Sequence, residues 1–319
     1  MKILPLILSC LFALAGCGEQ PAPQPAGGLP KVRLALNWFP EAEHGGFYAA
    51  QVHGYFQEQG VEVEILAGGP DAPVIQRVAT GAVEFGVTNA DDVLNARAQQ
   101  APVVALLAPY QTNPRCIMVH ASAGITKIDQ LRNLTIGLSQ RPAFSHYLRK
   151  KFPLTGVQIV PYPGNVTQFL MDPRFAQQAY IFSEPFIARK QGADPQVLMV
   201  SDIGFNPYAS VLIATEQTIT QHPEMVQAMV RASAAGWTHY VRESGPTDQH
   251  LHALNPEMDL DLLAYGAEQS RLLVLAADQP LGSMTLERWQ TLLQQMQDAE
   301  LIEAGTVKAE EAFTTRFLP

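Results

Sequence analysis

The sequence predicts an α/β protein of two lobes with an all-helical C-terminal region, and three observations predict it. Apolar runs alternate with helical patterns through most of the first two hundred residues, the pattern of strands and helices in alternation. Two breaks, Pro109–Arg115 and Ile203–Pro207, interrupt that part and read as a pair of crossovers between lobes. After Thr215 the apolar residues recur at helical spacing only. With 47% hydrophobic and 16% charged residues over 319 positions, the chain can bury a well-filled core.

The elements follow in order. Strands are predicted over Val32–Leu36, Val61–Leu66, Glu84–Thr88, Val103–Ala108, Cys116–His120, Leu134–Leu138, Val157–Tyr162, Ala179–Phe182, Val197–Val200 and Ala209–Thr215. Helices fit between them at Gly46–Gln59, Ala72–Thr80, Ala90–Gln99, Phe144–Lys151, Val166–Met171 and Glu184–Gln191, and Asp129–Leu131 makes a short helical turn at best. Beyond the last strand, Met225, Val226, Met229, Val230, Ala234, Trp237 and Val241 form one stripe along His222–Glu243, with Pro223 in its first turn. Leu260–Arg271 and Leu286–Met296 repeat the helical period. Paired crossovers would make residues 31–112 and 207–319 one lobe and residues 113–206 the other. The ligand would then sit in the cleft between them.

The N-terminus reads as an export signal. Lys2 gives a short positive region, Ile3–Ala15 an apolar one, and Leu14-Ala15-Gly16-Cys17 closes it with small residues. The apolar run falls short of the roughly 20 residues that a membrane-spanning helix needs. Those last four residues resemble the lipobox of bacterial lipoproteins, which implies removal of residues 1–16 and lipid on Cys17; an ordinary signal with an incidental cysteine is the alternative. Residues 17–30, rich in Pro, Gly, Ala and Gln, read as a flexible tether. Cys116 would then stand alone in the mature chain, in the apolar run Cys116–Val119, as a small core residue. A net charge of −9 without a basic run argues against nucleic acid as a partner.

The segment Leu34–Phe56 is the first candidate for function. It places Asn37, Trp38 and His44 after a strand and Gly45 and Gly46 at the start of a helix, where open α/β sheets bind small molecules. Its residues fit equally a core cap with turning glycines. Asn89, Asp91 and Asp92 hold the same strand-to-helix position, where an acidic residue also serves as a cap. Gly68-Gly69-Pro70 could turn its amides to an anion or merely turn the chain. Glu184 follows a predicted strand and precedes bulky apolar residues, which suits it to hold a donor-bearing ligand or to face a helix dipole. Tyr208, beside the second crossover, is counted with the candidate contacts.

Enzyme motifs are absent from the sequence. It carries no G-x-S-x-G elbow, H-E-x-x-H pair, Walker loop or G-x-G-x-x-G after a strand. His250 and His252 are two apart on a predicted surface helix, which points them to different faces and argues against a shared metal. No metal or cofactor is expected.

Leu36-Asn37-Trp38-Phe39-Pro40, His44, Phe47-Tyr48-Ala49-Ala50, Gly54-Tyr55-Phe56 and Gly60-Val61-Glu62-Val63 resemble the opening of the thiamine-pyrimidine-precursor family. That family contains periplasmic binding proteins of bacterial ABC importers and fungal enzymes that make the thiamine pyrimidine. The resemblance continues through Gly81–Val87, Leu131–Gly137, the Glu184 segment and Gly282-Ser283-Met284 with Trp289. It implies a two-lobed periplasmic-binding-protein fold, type II-like, that works as a lipid-anchored monomer with permease and ATPase partners. It further implies that Trp38 walls the pyrimidine while Asn37 and Glu184 contact its nitrogens. Where the fungal synthases carry a lysine for pyridoxal phosphate and a histidine substrate, this chain has Thr88 and Asp92, which removes the Schiff-base amine. Riboflavin is the rival ligand; a sulfonate is disfavoured because no arginine stands in the motif loops.

Overall fold

A computed structural model describes residues 28–275 and 279–319. The signal segment, Cys17 and most of the tether expected from the sequence lie outside the described residues. Among the described residues, no helix is long and apolar enough to cross a membrane.

The first half of the chain builds β1 (Lys31–Ala35), α1 (Gly45–Val52), α2 (Tyr55–Glu58), β2 (Glu62–Leu66), α3 (Val74–Ala79), β3 (Phe85–Thr88), α4 (Ala90–Ala98) and β4 (Val103–Leu107). Then come β5 (Arg115–His120), β6 (Thr135–Leu138), α5 (Ala143–Lys151), β7 (Gln158–Pro161), α6 (Thr167–Met171), β8 (Phe175–Tyr180), α7 (Glu184–Lys190) and β9 (Pro195–Met199). The chain returns through β10 (Val211–Thr215) and closes with α8 (Glu216–Gln221), α9 (Pro223–Tyr240), α10 (Gly245–Leu254), α11 (Leu260–Val274) and α12 (Leu286–Asp298).

Two five-stranded sheets result, in the orders β2-β1-β3-β10-β4 and β7-β6-β8-β5-β9. Each has a parallel core of three strands, β2-β1-β3 and β7-β6-β8, then one antiparallel strand delivered by a crossover, β10 or β5. This is the two-lobed α/β fold expected from the sequence, with its helical C-terminal region. The crossovers run side by side. Tyr110 and Ala209 form an antiparallel bridge, Asn206 Oδ1 accepts from the Asn113 amide at 2.7 Å, and Asn113 Nδ2 donates to the Pro207 carbonyl at 2.9 Å.

The core has three parts. One joins a face of the first sheet to α1, α9 and α11 around Phe47, Trp237 and Tyr240. Another continues from the opposite face through α3, α4 and α12 to the second sheet and α5, around Trp289 and Phe144. The third lies between the second sheet and α6 and α7, and includes Cys116. Cys116 is the buried core residue expected, and its thiol donates to the Ala179 carbonyl at 3.4 Å.

Three elements differ from expectation. The strand predicted at Ala179–Phe182 is β8, ending at Tyr180, because the Ser183 amide turns back to the Tyr180 carbonyl and the Tyr180 amide bonds the Glu184 carboxylate. Gln177 and Gln178 hid its first half: both are buried, although the polar side chains give no strand alternation. The helix predicted over Gly46–Gln59 breaks at Gly54, whose φ of 76° is left-handed, into α1 and α2. Finally, α8 was not anticipated; Thr215 caps it by accepting from the Thr218 amide at 3.0 Å.

Candidate ligand-binding site

The loop after β1 is built tightly. Leu36 continues the pairing with β2 by donating to the Leu66 carbonyl, and the Gly68 amide donates to the Trp38 carbonyl at 2.9 Å. A Cβ on Gly68 would stand 2.1 Å from the Leu36 carbonyl oxygen, so the glycine is required by close backbone approach. Its amide is thereby spent on Trp38, and the anion role considered for Gly68-Gly69-Pro70 gives way to packing. Gly46 has a similar cause: a Cβ there would meet the Trp237 ring at 2.1 Å, so α1 can lie on α9 only without one.

Asn37 and His44 meet directly. His44 Nε2 lies 2.9 Å from Asn37 Oδ1, and the ring is wholly buried. Burial pushes the imidazole pKa down to about 3 and keeps it neutral, so His44 orients Asn37 rather than carrying charge. Trp38 is half-buried, with its ring edge-to-face against the exposed Phe39 at 5.4 Å. The Pro40 carbonyl is pinned by Asn255 Nδ2 at 3.0 Å.

Between Pro40 and His44 the sequence hides two charges. Glu41 and Glu43 are 5% and 1% exposed. Ser210 Oγ donates to Glu43 Oε1 at 3.0 Å, and the Ser210 amide donates to Asn89 Oδ1 at 3.3 Å. Ser210 holds a left-handed backbone, φ 51°, that only its surroundings sustain. Asn89 thus joins the group through Ser210 while it opens α4.

The second lobe supplies the opposing wall. Glu184, half-buried at the first turn of α7, accepts from Tyr162 Oη at 2.5 Å and from the Tyr180 amide at 2.9 Å. Arg115 opens β5, donates to Tyr180 Oη at 2.9 Å and lies 4.5 Å from the Phe144 ring centroid. Burial raises the Glu41, Glu43 and Glu184 pKa values, Glu41 furthest, because Glu43 and Glu184 add repulsion. Asp91 in the first turn of α4 is pushed up to about 7 by burial and by Asp92. The lobes also touch through Lys190 with Asp259 at 2.7 Å, and through Tyr265 Oη donating to the Ile181 carbonyl at 3.2 Å.

The structure joins Asn37 to His44 directly and Asn89 to Glu43 through Ser210, with Trp38 on the same loop after β1, while Glu184 stands in the second lobe with Tyr162 and Tyr180. Tyr208 does not belong with them. Its ring packs under Arg288, whose guanidinium lies 3.8 Å from the centroid, and its hydroxyl accepts from the Thr285 amide at 3.1 Å. Burial in the core beside Trp289 uses that side chain up. Glu184 opens α7 shortly after β8 ends, as the helix expected over Glu184–Gln191 places it. Arg115, which enters from the first crossover and not from a motif loop, stands beside Tyr180 and Phe144. Glu41, Glu43 and Arg115 were overlooked; the available signal was charge inside otherwise apolar stretches. Two cavities, of about 620 and 550 Å³, are lined by residues of the second lobe alone and include none of this set.

A family model described as NMT1/THI5 like matches residues 41–244. The chain belongs to this family. The riboflavin-binding protein RibY of Chloroflexus aurantiacus is 28% identical over 94% of this chain and 89% of its own length. The formylaminopyrimidine-binding protein of Halalkalibacterium halodurans is 26% identical over 98% of each. Among solved structures, the periplasmic aliphatic sulphonate binding protein SsuA of Escherichia coli superposes with a TM-score of 0.70 at 11% identity, covering 89% of this chain and 92% of that one. The NMT1/THI5-like chain thus shares the fold of that binding protein.

Proposed function

We propose that this chain is the substrate-binding component of an ABC importer, capturing a thiamine pyrimidine precursor of the hydroxymethylpyrimidine or formylaminopyrimidine type by cleft closure. The observation that carries the reading is the half-buried Trp38 in the loop after β1 of the first lobe together with the half-buried Glu184 carboxylate at the start of α7 in the second. Carboxylates suit a ring with amino donors, and an indole face suits a flat heteroaromatic. Two relatives named for binding small heteroaromatics support the class. The protein would be exported, held to the membrane by lipid on Cys17, and would act as a monomer that presents both closed lobes to a permease and its ATPase.

A second reading, riboflavin as ligand, is favoured by the RibY likeness and by Phe39, whose exposed ring extends the aromatic surface beyond Trp38. Catalysis through pyridoxal phosphate lacks its amine: Thr88 Oγ1 donates to Asp92 Oδ2 at 2.9 Å where the synthases carry lysine and histidine. Calorimetric titration with 4-amino-5-hydroxymethyl-2-methylpyrimidine and with riboflavin tests the reading. Saturable 1:1 binding of the pyrimidine is expected; tight binding of riboflavin alone would replace the ligand.

A further inference from the structure

The larger cavity of the second lobe, about 620 Å³, lies at the end of its sheet opposite the one that carries Arg115 and Glu184. There β5 stops at His120, and the chain enters β6 and β8 through segments that hold Arg132 and Arg174. β6 and β8 run parallel with Thr135 opposite Phe175, and the Thr135 amide donates to the Arg174 carbonyl at 3.1 Å. Arg132 and Arg174 therefore approach on neighbouring strands, and both line the cavity. The backbone around them is fixed. Asn133, left-handed at φ 52°, donates its amide to the Thr155 carbonyl at 3.1 Å. The His120 ring lies flat on Phe169 at 3.9 Å, and its Nε2 donates to the Phe169 carbonyl at 2.7 Å.

The lining is one-sided in charge. Its titratable residues are Arg132, Arg174 and His120, and no carboxylate lines it, although the chain as a whole carries −9. Asp172, the acid nearest to Arg174 in sequence, is turned to the backbone, where its Oδ1 accepts from the Arg174 amide at 2.9 Å. Among the described residues, no ion pair or side-chain hydrogen bond reaches either guanidinium, whereas Arg33, Arg97 and Arg141 each lie against a carboxylate. Ser122 and Asn133 line the same cavity, and neither side chain is hydrogen-bonded to another described residue. Ile125 and Leu134 give it an apolar side.

Two guanidinium forks match a tetrahedral dianion in both charge and donor geometry, and a monoanion would leave one of them unanswered. The volume is that of a small-molecule site and exceeds what inorganic phosphate fills. We propose that this cavity is a second binding site, separate from the cleft, for a small organic phosphate monoester. The phosphoryl oxygens accept from Arg132, Arg174 and the Ser122 hydroxyl, and the organic part covers Ile125 and Leu134. Because the site stands at the far end of the sheet, its occupancy does not depend on which ligand the cleft takes.

Phenyl phosphate, inorganic phosphate and benzyl alcohol, titrated into the purified protein by calorimetry and by amide NMR, test the head and the body of this ligand separately. Phenyl phosphate should bind 1:1, roughly tenfold more tightly than inorganic phosphate, while benzyl alcohol should not saturate. It should shift the Ser122, Ile125 and Asn133 signals and leave those of Asn37 and Trp38 in place. Arg132→Gln and Arg174→Gln should each weaken it about tenfold. Both side chains are exposed, so neither change opens the core, and circular dichroism checks the fold. Should one variant fail to fold, the other variant and the shift map still decide. Absence of saturable binding, an affinity unchanged in the folded variants, or shifts confined to the loop after β1 overturns the site. Benzyl alcohol or inorganic phosphate binding as tightly as phenyl phosphate overturns the organic phosphate as its ligand.

Discussion

Trp38 is half-buried and touches Phe39 edge-on, so its removal takes away ring surface that a stacked ligand would cover without opening the core. Trp38→Ala should weaken binding of the aminopyrimidine probe by about 1–3 kcal/mol and leave the circular dichroism spectrum unchanged. Unfolding with unaltered affinity per folded molecule would make Trp38 a core cap instead. Asp91 carries a pH prediction. Its folded pKa stands at about 7, above the ordinary aspartate value of 3.8. The folded state therefore holds the extra proton through that interval, and stability is greatest below about pH 4 and falls as pH rises toward 7. His44 acts oppositely: its folded pKa of about 3 lies below 6.5, so its contribution is lost as pH falls through that window. Asp91→Asn should flatten the decline between pH 4 and 7 in thermal melts of ligand-free protein, and an unchanged slope would contradict the assignment.

At the scale of elements, the loop after β1 and the α1–α9 crossing depend on glycine. Gly68→Ala would force a Cβ to 2.1 Å from the Leu36 carbonyl oxygen, and urea unfolding should show a loss of about 1–3 kcal/mol. Gly236→Ala would press on the Gly46 carbonyl oxygen at 2.2 Å and should cost a similar amount. Most elements were legible because each carries its own periodicity: the β4 and β10 runs, Val103–Leu107 and Val211–Thr215, are apolar throughout and buried on both faces. β8 was misread because Gln177 and Gln178 are buried polar residues, and burial of that kind is set by neighbours rather than by local pattern. The candidate site divides the same way. Asn37, Trp38 and His44 could be found because they lie together in one segment. Glu41, Glu43 and Arg115 are charged groups withdrawn from solvent, and such burial is set by neighbours distant in sequence rather than by local pattern.

At the scale of the whole molecule, two sheets of matching order are joined by paired crossovers, and the groups between them come from both. Ion pairs on the surface, such as Lys190 with Asp259, each half exposed, span the lobes but contribute only about 0–1 kcal/mol apiece. Lys190→Ala should therefore leave global stability within about 0.5 kcal/mol in chemical unfolding, while a ligand held by both lobes would stabilise the closed form much more. On the proposed function, the cleft captures a small aminopyrimidine. Native mass spectrometry of the protein, purified without refolding and then mixed with 4-amino-5-hydroxymethyl-2-methylpyrimidine, tests it most directly. One pyrimidine per chain should be retained, with lower occupancy in Glu184→Gln and in Trp38→Ala. A chain that carries no small molecule as purified and takes up none of the pyrimidine would contradict it.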